Sequence, residues 1–227
     1  MSDAAYQTIA IPSVAVLSGA NLGQNVAMNT KEEEVPASAS MRDALRRPLH
    51  DLRISVLDQC NFRCPYCMPE DEFHADYEFL RRSQRLSYEE ILKVARVASE
   101  LGVSKVRLTG GEPLLDKNIP DLIAGLASIP GIDDLALTTN GMLLAPAAQK
   151  LADAGLHRVT ISLDSLDEKV FRHMSGGRGD LGRVLEGLAA AEQAGLDPIK
   201  INVVVQHGVN DHTIMDLLEY FRGSGHI

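Results

Sequence analysis

Apolar and polar positions in this chain alternate between two rhythms from residue 52 onward. Short runs rich in Val, Ile, Leu and Thr occur at Leu52–Leu57, Lys105–Thr109, Asp134–Thr139, Arg158–Leu163 and Pro198–Val205. Each has the length and β-branched content of a strand. Between them the apolar positions recur every three or four residues, which predicts helices. The first helix opens at the capping box Ser87-Tyr88-Glu89-Glu90. Ile91, Val94, Ala95, Ala98 and Leu101 then form one stripe, and Gly102 stops it. A second helix is expected near Ile119–Ser128, with Leu122, Ile123 and Leu126 inward, and a third over Pro146–Ala154, stopped by Gly155. A fourth carries Leu181, Val184, Leu185 and Leu188 on one face up to Gly195. A fifth covers about Thr213–Phe221.

Strand and helix in alternation imply parallel strands joined by helical crossovers. The expected fold class is therefore α/β. In barrels of this kind ligands gather at the carboxyl ends of the strands, and the unusual residues fall there. Three cysteines follow the first strand, Gly110-Gly111-Glu112-Pro113 the second, Asn140-Gly141 the third and Asp164-Ser165 the fourth. Any one of these reads as an ordinary turn. Four on one rim make a site.

Cys60, Cys64 and Cys67 are the only cysteines in the chain. An odd count at tight spacing, with no secretory signal, argues against a disulfide framework. Structural zinc usually takes four ligands, often in separated pairs, and His74 stands at no usual finger spacing. Three thiolates cannot close a four-iron cluster, so an iron–sulfur cluster held here leaves one iron open.

Composition bounds the rest. The chain has 227 residues, 45% of them hydrophobic and 23% charged, enough for one sizeable core plus an appendage. Its formal net charge of -9 argues against a general nucleic-acid binder. No apolar run approaches the ~18 residues of a membrane span. Thiols that must stay reduced to bind metal point to the cytoplasm. Residues 1–47 read as a poorly ordered extension, because Lys31-Glu32-Glu33-Glu34 and Pro36-Ala37-Ser38-Ala39-Ser40 have the composition of solvated linker. The folded domain is expected over 48–227.

The cysteine spacing, with Tyr66 before the last cysteine and Gly-Gly-Glu-Pro after the next strand, resembles the radical S-adenosylmethionine (SAM) enzymes. A narrower resemblance, over about residues 42–227, is to the molybdenum cofactor biosynthesis protein A (GTP 3′,8-cyclase) family. It rests on Asp51-Leu52-Arg53-Ile54-Ser55-Val56, Lys105-Val106-Arg107-Leu108-Thr109, Leu137-Thr138-Thr139-Asn140-Gly141, Val159-Thr160-Ile161-Ser162-Leu163-Asp164 and Ile199-Lys200-Ile201-Asn202.

The resemblance implies a partial TIM-like barrel and one [4Fe–4S] cluster on Cys60, Cys64 and Cys67. It also implies SAM contacts at Tyr66, Gly111 and Ser162, and GTP contacts at Arg53, Arg107, Thr138 and Lys200. The reaction it implies is the conversion of GTP to (8S)-3′,8-cyclo-7,8-dihydroguanosine 5′-triphosphate, with an external electron donor and a tendency to pair as homodimers. Taken singly, Lys200 also reads as an exposed strand lysine, Arg107 as half of a structural ion pair and Thr138 as β propensity. Arg63 reads either as tuning the cluster or as solvated. The family further has a sixth strand and a C-terminal region with three more cysteines, which the sequence up to Ile227 does not include. The expectation is about five βα units, an exposed edge on the fifth strand and weak or absent cyclase turnover. A radical SAM reaction on another substrate, or a remnant that keeps only the cluster and SAM half of the site, is the alternative.

Overall fold

The computed structural model describes residues 41–227, which belong to one compact unit, Ala37–Ile227. Most of the expected N-terminal extension, residues 1–40, lies outside the described residues. Within 41–50 the chain makes a local turn: Arg42 bridges Pro48, and Asp43 accepts hydrogen bonds from the backbone of Leu45 and Arg47.

Among the described residues, five strands form one parallel sheet in the order of the sequence: β1 Asp51–Ser55, β2 Lys105–Thr109, β3 Asp134–Thr139, β4 Arg158–Ser162 and β5 Lys200–Asn202. The helices are α1 Tyr88–Glu100, α2 Ile119–Ala127, α3 Ala148–Asp153, α4 Glu168–Met174, α5 Leu181–Gln193 and α6 Ile214–Tyr220. A strand order without reversal is that of a barrel wall, not of a doubly wound sheet. The architecture is α/β, a partial TIM-like barrel of five βα units.

Period-two alternation divides the sheet into two faces. Val106, Leu108, Leu135, Leu137, Val159 and Ile161 are buried in one core with Leu122, Ile123, Leu126, Leu151 and Val184 of the helices. The opposite face carries Arg53, Arg107, Thr138, Thr160, Ser162 and Lys200, none of them buried.

Two elements differ from the sequence reading. The fifth strand was expected over Pro198–Val205 but pairs only through Lys200–Asn202. Beyond Asn202 the backbone leaves the ladder: the Val204 N–H donates to Asp164 Oδ1 at 2.9 Å, and the Val204 carbonyl accepts from Asn210 Nδ2 at 2.9 Å. Helix α4 was not expected. It spans seven residues, too few for a periodic signal, and starts at an N-cap where Asp167 accepts from Lys169 and Val170. The outer edge of β5 is partly covered. Ile227 donates to the Ile199 carbonyl at 3.0 Å and accepts from the Ile201 N–H at 2.7 Å, the hydrogen-bond pattern of a parallel neighbour.

Candidate functional site

The loop after β1 is held from three sides. Arg63, only 7% exposed, is its internal staple. Its guanidinium donates to the carbonyls of Cys60 (2.8 Å), Phe62 (2.8 Å) and Phe73 (2.9 Å) and lies 5.5 Å from the centre of the Phe79 ring. Arg63 is thus not a solvated residue. Its backbone N–H donates to the Ser175 carbonyl at 3.2 Å, and Phe62 packs edge-on against Phe171 of α4. Replacing Arg63 by Ala is expected to cost about 2–4 kcal/mol, because three carbonyls lose a charged donor. Lys should not restore it, since an ammonium lacks the planar fork. Thermal unfolding of the two variants under reducing conditions checks this.

The Gly110-Gly111 turn after β2 holds the second side. Gly111 donates to the Leu57 carbonyl at 2.7 Å and Glu112 to the Gln59 carbonyl at 2.9 Å. A Cβ on Gly111 would lie 2.1 Å from the Gln59 carbonyl oxygen. The steric reason for glycine here is therefore the chain's own cysteine loop, whereas the sequence reading looked to a bound ligand. Gly111→Ala should push the two loops apart at a cost of about 1–3 kcal/mol, read as a lower Tm.

Buried polar residues hold the third side. Glu112, 1% exposed, accepts from Leu114 N, Thr139 Oγ1 and Asn140 N, which locks the β2 rim to the β3 rim. Burial raises its pKa against these bonds. The Tyr66 hydroxyl donates to Asp164 Oδ2 at 2.6 Å. Asn210, fully buried, donates to the carbonyls of Asp164 and Val204. This latch ties the cysteine loop to the rims of β4 and β5. Burial, and then the Asp164 partner, raises the Tyr66 pKa, so the phenol stays a donor.

These loops enclose a cavity of about 210 Å³ lined by Cys60, Cys64 and Cys67 with Tyr66, Gly111, Thr138, Asn140 and Ser162 among others. The structure so brings together the three cysteines, the three residues expected to meet SAM and one of the four expected to meet GTP. Arg53, Arg107 and Lys200 do not line it. They sit on the same face of the sheet, toward the strands' amino ends. Arg53 stands opposite Arg107 in register, and Thr138, Thr160 and Lys200 form the next row up. One row below that pair, Lys105 meets Asp51 (3.3 Å) and Asp134 (3.8 Å), and Arg158, in the row of Arg53 and Arg107, pairs with Asp134. Among the described residues, Arg53, Arg107 and Lys200 have no carboxylate partner, so the ion-pair alternative for Arg107 finds no support there.

The donor set suits an iron–sulfur cluster, since three thiols on one loop line one cavity. Cys60 and Cys64 are half-buried and Cys67 is exposed. Among the described residues, no three His, Cys, Asp or Glu side chains converge as ligands of one metal ion. A zinc ion with bonds of about 2.3 Å would draw its thiolates to within roughly 4 Å of one another. A four-iron cluster asks for less convergence, because it places each thiolate on a different iron. Burial pushes the Cys64 thiol up to about 12 and raises that of Cys60. Both are therefore neutral until a cation displaces the proton.

The model of the radical SAM superfamily matches residues 54–221. The chain belongs to that superfamily. Membership implies a [4Fe–4S] cluster and SAM as cofactors. Among curated relatives, the chain is 56% identical over 191 residues to the GTP 3′,8-cyclase of Xanthomonas campestris pv. campestris (strain B100), covering 84% of this chain and 56% of that protein. It is 51% identical over 187 residues to the GTP 3′,8-cyclase of Acidothermus cellulolyticus, covering 82% and 52%. The chain thus spans about half the length of the curated relatives it matches. Among solved structures, anSMEcpe with bound AdoMet superposes with a TM-score of 0.59 at 18% identity, over 77% of this chain and 48% of that one. Methylornithine synthase (PylB) does so with 0.55 at 19%, over 77% and 49%. These likenesses establish the fold. Among the described residues no helix is long and apolar enough to cross a membrane.

Sequence reasoning did not foresee the parts of Arg63, Glu112, Asn210 and the Ser175-Gly176 turn. A Cβ on Gly176 would lie 2.0 Å from the Arg63 carbonyl, so the Gly176-Gly177 pair was the available signal.

Proposed function

We propose that this chain carries the SAM-cleaving part of a GTP 3′,8-cyclase acting in molybdenum cofactor biosynthesis. In this reading one [4Fe–4S] cluster sits on Cys60, Cys64 and Cys67. Tyr66, Gly111 and Ser162 meet SAM, and Arg53, Arg107, Thr138 and Lys200 meet GTP. The folded domain is taken as 48–227. The observation that carries the reading is the sheet face that joins the cysteine cavity to three cations without a carboxylate partner among the described residues. When bound, the reduced cluster supplies the electron that cleaves SAM to a 5′-deoxyadenosyl radical.

The chain's own residues explain how the reactants would be held. Ser162 lines the cavity with no hydrogen-bond partner among the described residues, which leaves its hydroxyl for a ligand oxygen. Tyr66 is fixed by Asp164, so its ring is presented in one orientation. Arg53 and Arg107, opposed in register, repel each other until an anion lies between them. A triphosphate provides that anion and accepts charge-assisted bonds from both. Its phosphates would then lie toward the amino ends of the strands, with the ribose near Thr138 and the cysteine cavity. Proximity of the ribose to the site of radical formation is what hydrogen abstraction at C3′ requires. An external one-electron donor is part of the proposal, and the exposed Cys67 marks the side from which the loop is reached.

The test is anaerobic incubation of the reconstituted chain with a reductant, SAM and GTP. Formation of 5′-deoxyadenosine together with the cyclised nucleotide is expected if the chain holds GTP productively. 5′-Deoxyadenosine without a cyclised nucleotide would contradict the GTP reading and leave the SAM chemistry.

A further inference from the structure

We propose that Asn140 donates an N–H···S hydrogen bond to Cys60 and thereby raises the reduction potential of the cluster that this cysteine holds. The inference rests on the cluster reading above and adds to it a positioning residue with a stated electronic effect.

Asn140 follows β3 on the rim and is 8% exposed. Its backbone N–H donates to Glu112 Oε2 at 2.7 Å, so the residue is anchored before its side chain does anything. Its side-chain oxygen accepts from the Met142 N–H at 3.1 Å, and its side-chain nitrogen donates to Asn61 Oδ1 at 2.7 Å. Those two bonds fix the sense of the amide, because only an oxygen can serve the Met142 N–H. The nitrogen must therefore face the cysteine loop. It lies 3.8 Å from Cys60 Sγ and has a second N–H to give.

Cys60 already accepts from the Phe62 backbone N–H at 3.4 Å. As a thiol it is also placed to donate to Asn61 Oδ1, at 3.9 Å. As a metal-bound thiolate it has no proton to donate and can only accept. Its sulfur then has two N–H groups directed at it, one of them from a side chain 80 residues away in sequence. Among the described residues, Cys64 and Cys67 have no N–H donor of this kind on sulfur.

The electronic consequence follows from charge. Reduction adds one negative charge to the cluster, and part of it resides on the sulfurs. A hydrogen bond to sulfur stabilises the reduced form more than the oxidised form, which raises the potential. Asn140 would ease the arrival of the electron that this chemistry needs.

The experiment is an EPR-monitored redox titration of the anaerobically reconstituted 227-residue chain, unvaried and with Asn140→Asp, Asn140→Ala and Thr139→Val. Asn140→Asp keeps an oxygen for Met142 and removes the donor, and Asn140→Ala removes the donor without adding charge. Both are expected to shift the midpoint to more negative values. At a fixed poise the reduced-to-oxidised ratio should fall by up to about tenfold, or ~59 mV for a one-electron couple. Thr139→Val loosens the same rim by removing the bond to Glu112 but touches no sulfur, and its midpoint should stay put. Unchanged midpoints in the Asn140 variants, or an equal shift in Thr139→Val, overturn the inference.

Should the Asn140 variants take up no iron, the unvaried chain still decides. With asparagine labelled by 15N in the side-chain amide, the reduced cluster should show a nitrogen coupling, and its absence overturns the inference. An unvaried chain that takes up no cluster fails at the earlier step and overturns the cluster reading itself.

Discussion

Cys64→Ser should abolish cluster assembly. The unvaried chain, reconstituted anaerobically with iron and sulfide, is expected to hold roughly four irons, and the variant less than about one. Serine keeps the size and hydrogen-bonding character of the side chain but removes the thiolate that iron prefers. As a proposed ligand Cys64 also has little freedom to be replaced. It is half-buried, its carbonyl accepts from the N–H groups of Cys67 and Met68 at 3.0 and 2.9 Å, and Arg63 beside it is fixed by three carbonyls. Beyond Cys60 and Cys67 the chain has no cysteine to take its place. Full iron content in the variant would show that Cys64 is not a ligand.

Arg107→Ala should weaken GTP binding by roughly tenfold to a hundredfold and should not destabilise the protein. The two halves of this prediction share one cause. A lost charge-assisted hydrogen bond to phosphate is worth about 1.5–3 kcal/mol. In the free chain, however, Arg107 stands across from Arg53 in register, and like charges directly opposite cost up to about 1 kcal/mol. Removing one relieves that repulsion, so Tm should hold or rise slightly while affinity falls. Equilibrium binding of GTP and thermal unfolding, measured on the same preparations, check both. A fall in Tm with unchanged affinity would mean that Arg107 serves the fold instead.

Much of this was legible in the sequence because strong local signals coincided. The strands announce themselves through Val, Ile and Leu, and α1 through its capping box, in which Ser87 and Glu90 bond reciprocally as the motif requires. The cysteine loop was legible because three thiols within eight residues have few other uses. What failed did so for a common reason. Val203–Val205 has the composition of a strand, but its backbone bonds go to Asp164 and Asn210, residues whose arrival beside it no local pattern encodes. The part of Arg63, read as tuning the cluster or as solvated, was hidden because its acceptors are main-chain carbonyls, which carry no sequence signature. The tight seat of Gly111 on Gln59 was equally hidden, because that loop lies about fifty residues earlier, while its expected contact with SAM stands as a proposal. Asn140 and Asp164 were visible on the rim, yet their partners across 79 and 98 residues were not.

One measurement bears most directly on the central claim that three cysteines hold a cluster with an iron left open for SAM. It is the EPR spectrum of the reduced, reconstituted chain with and without SAM. The expected result is a [4Fe–4S]+ signal whose line shape changes when SAM is added, because the ligand meets the open iron. A chain that forms no cluster, or a cluster whose spectrum is indifferent to SAM, would contradict it.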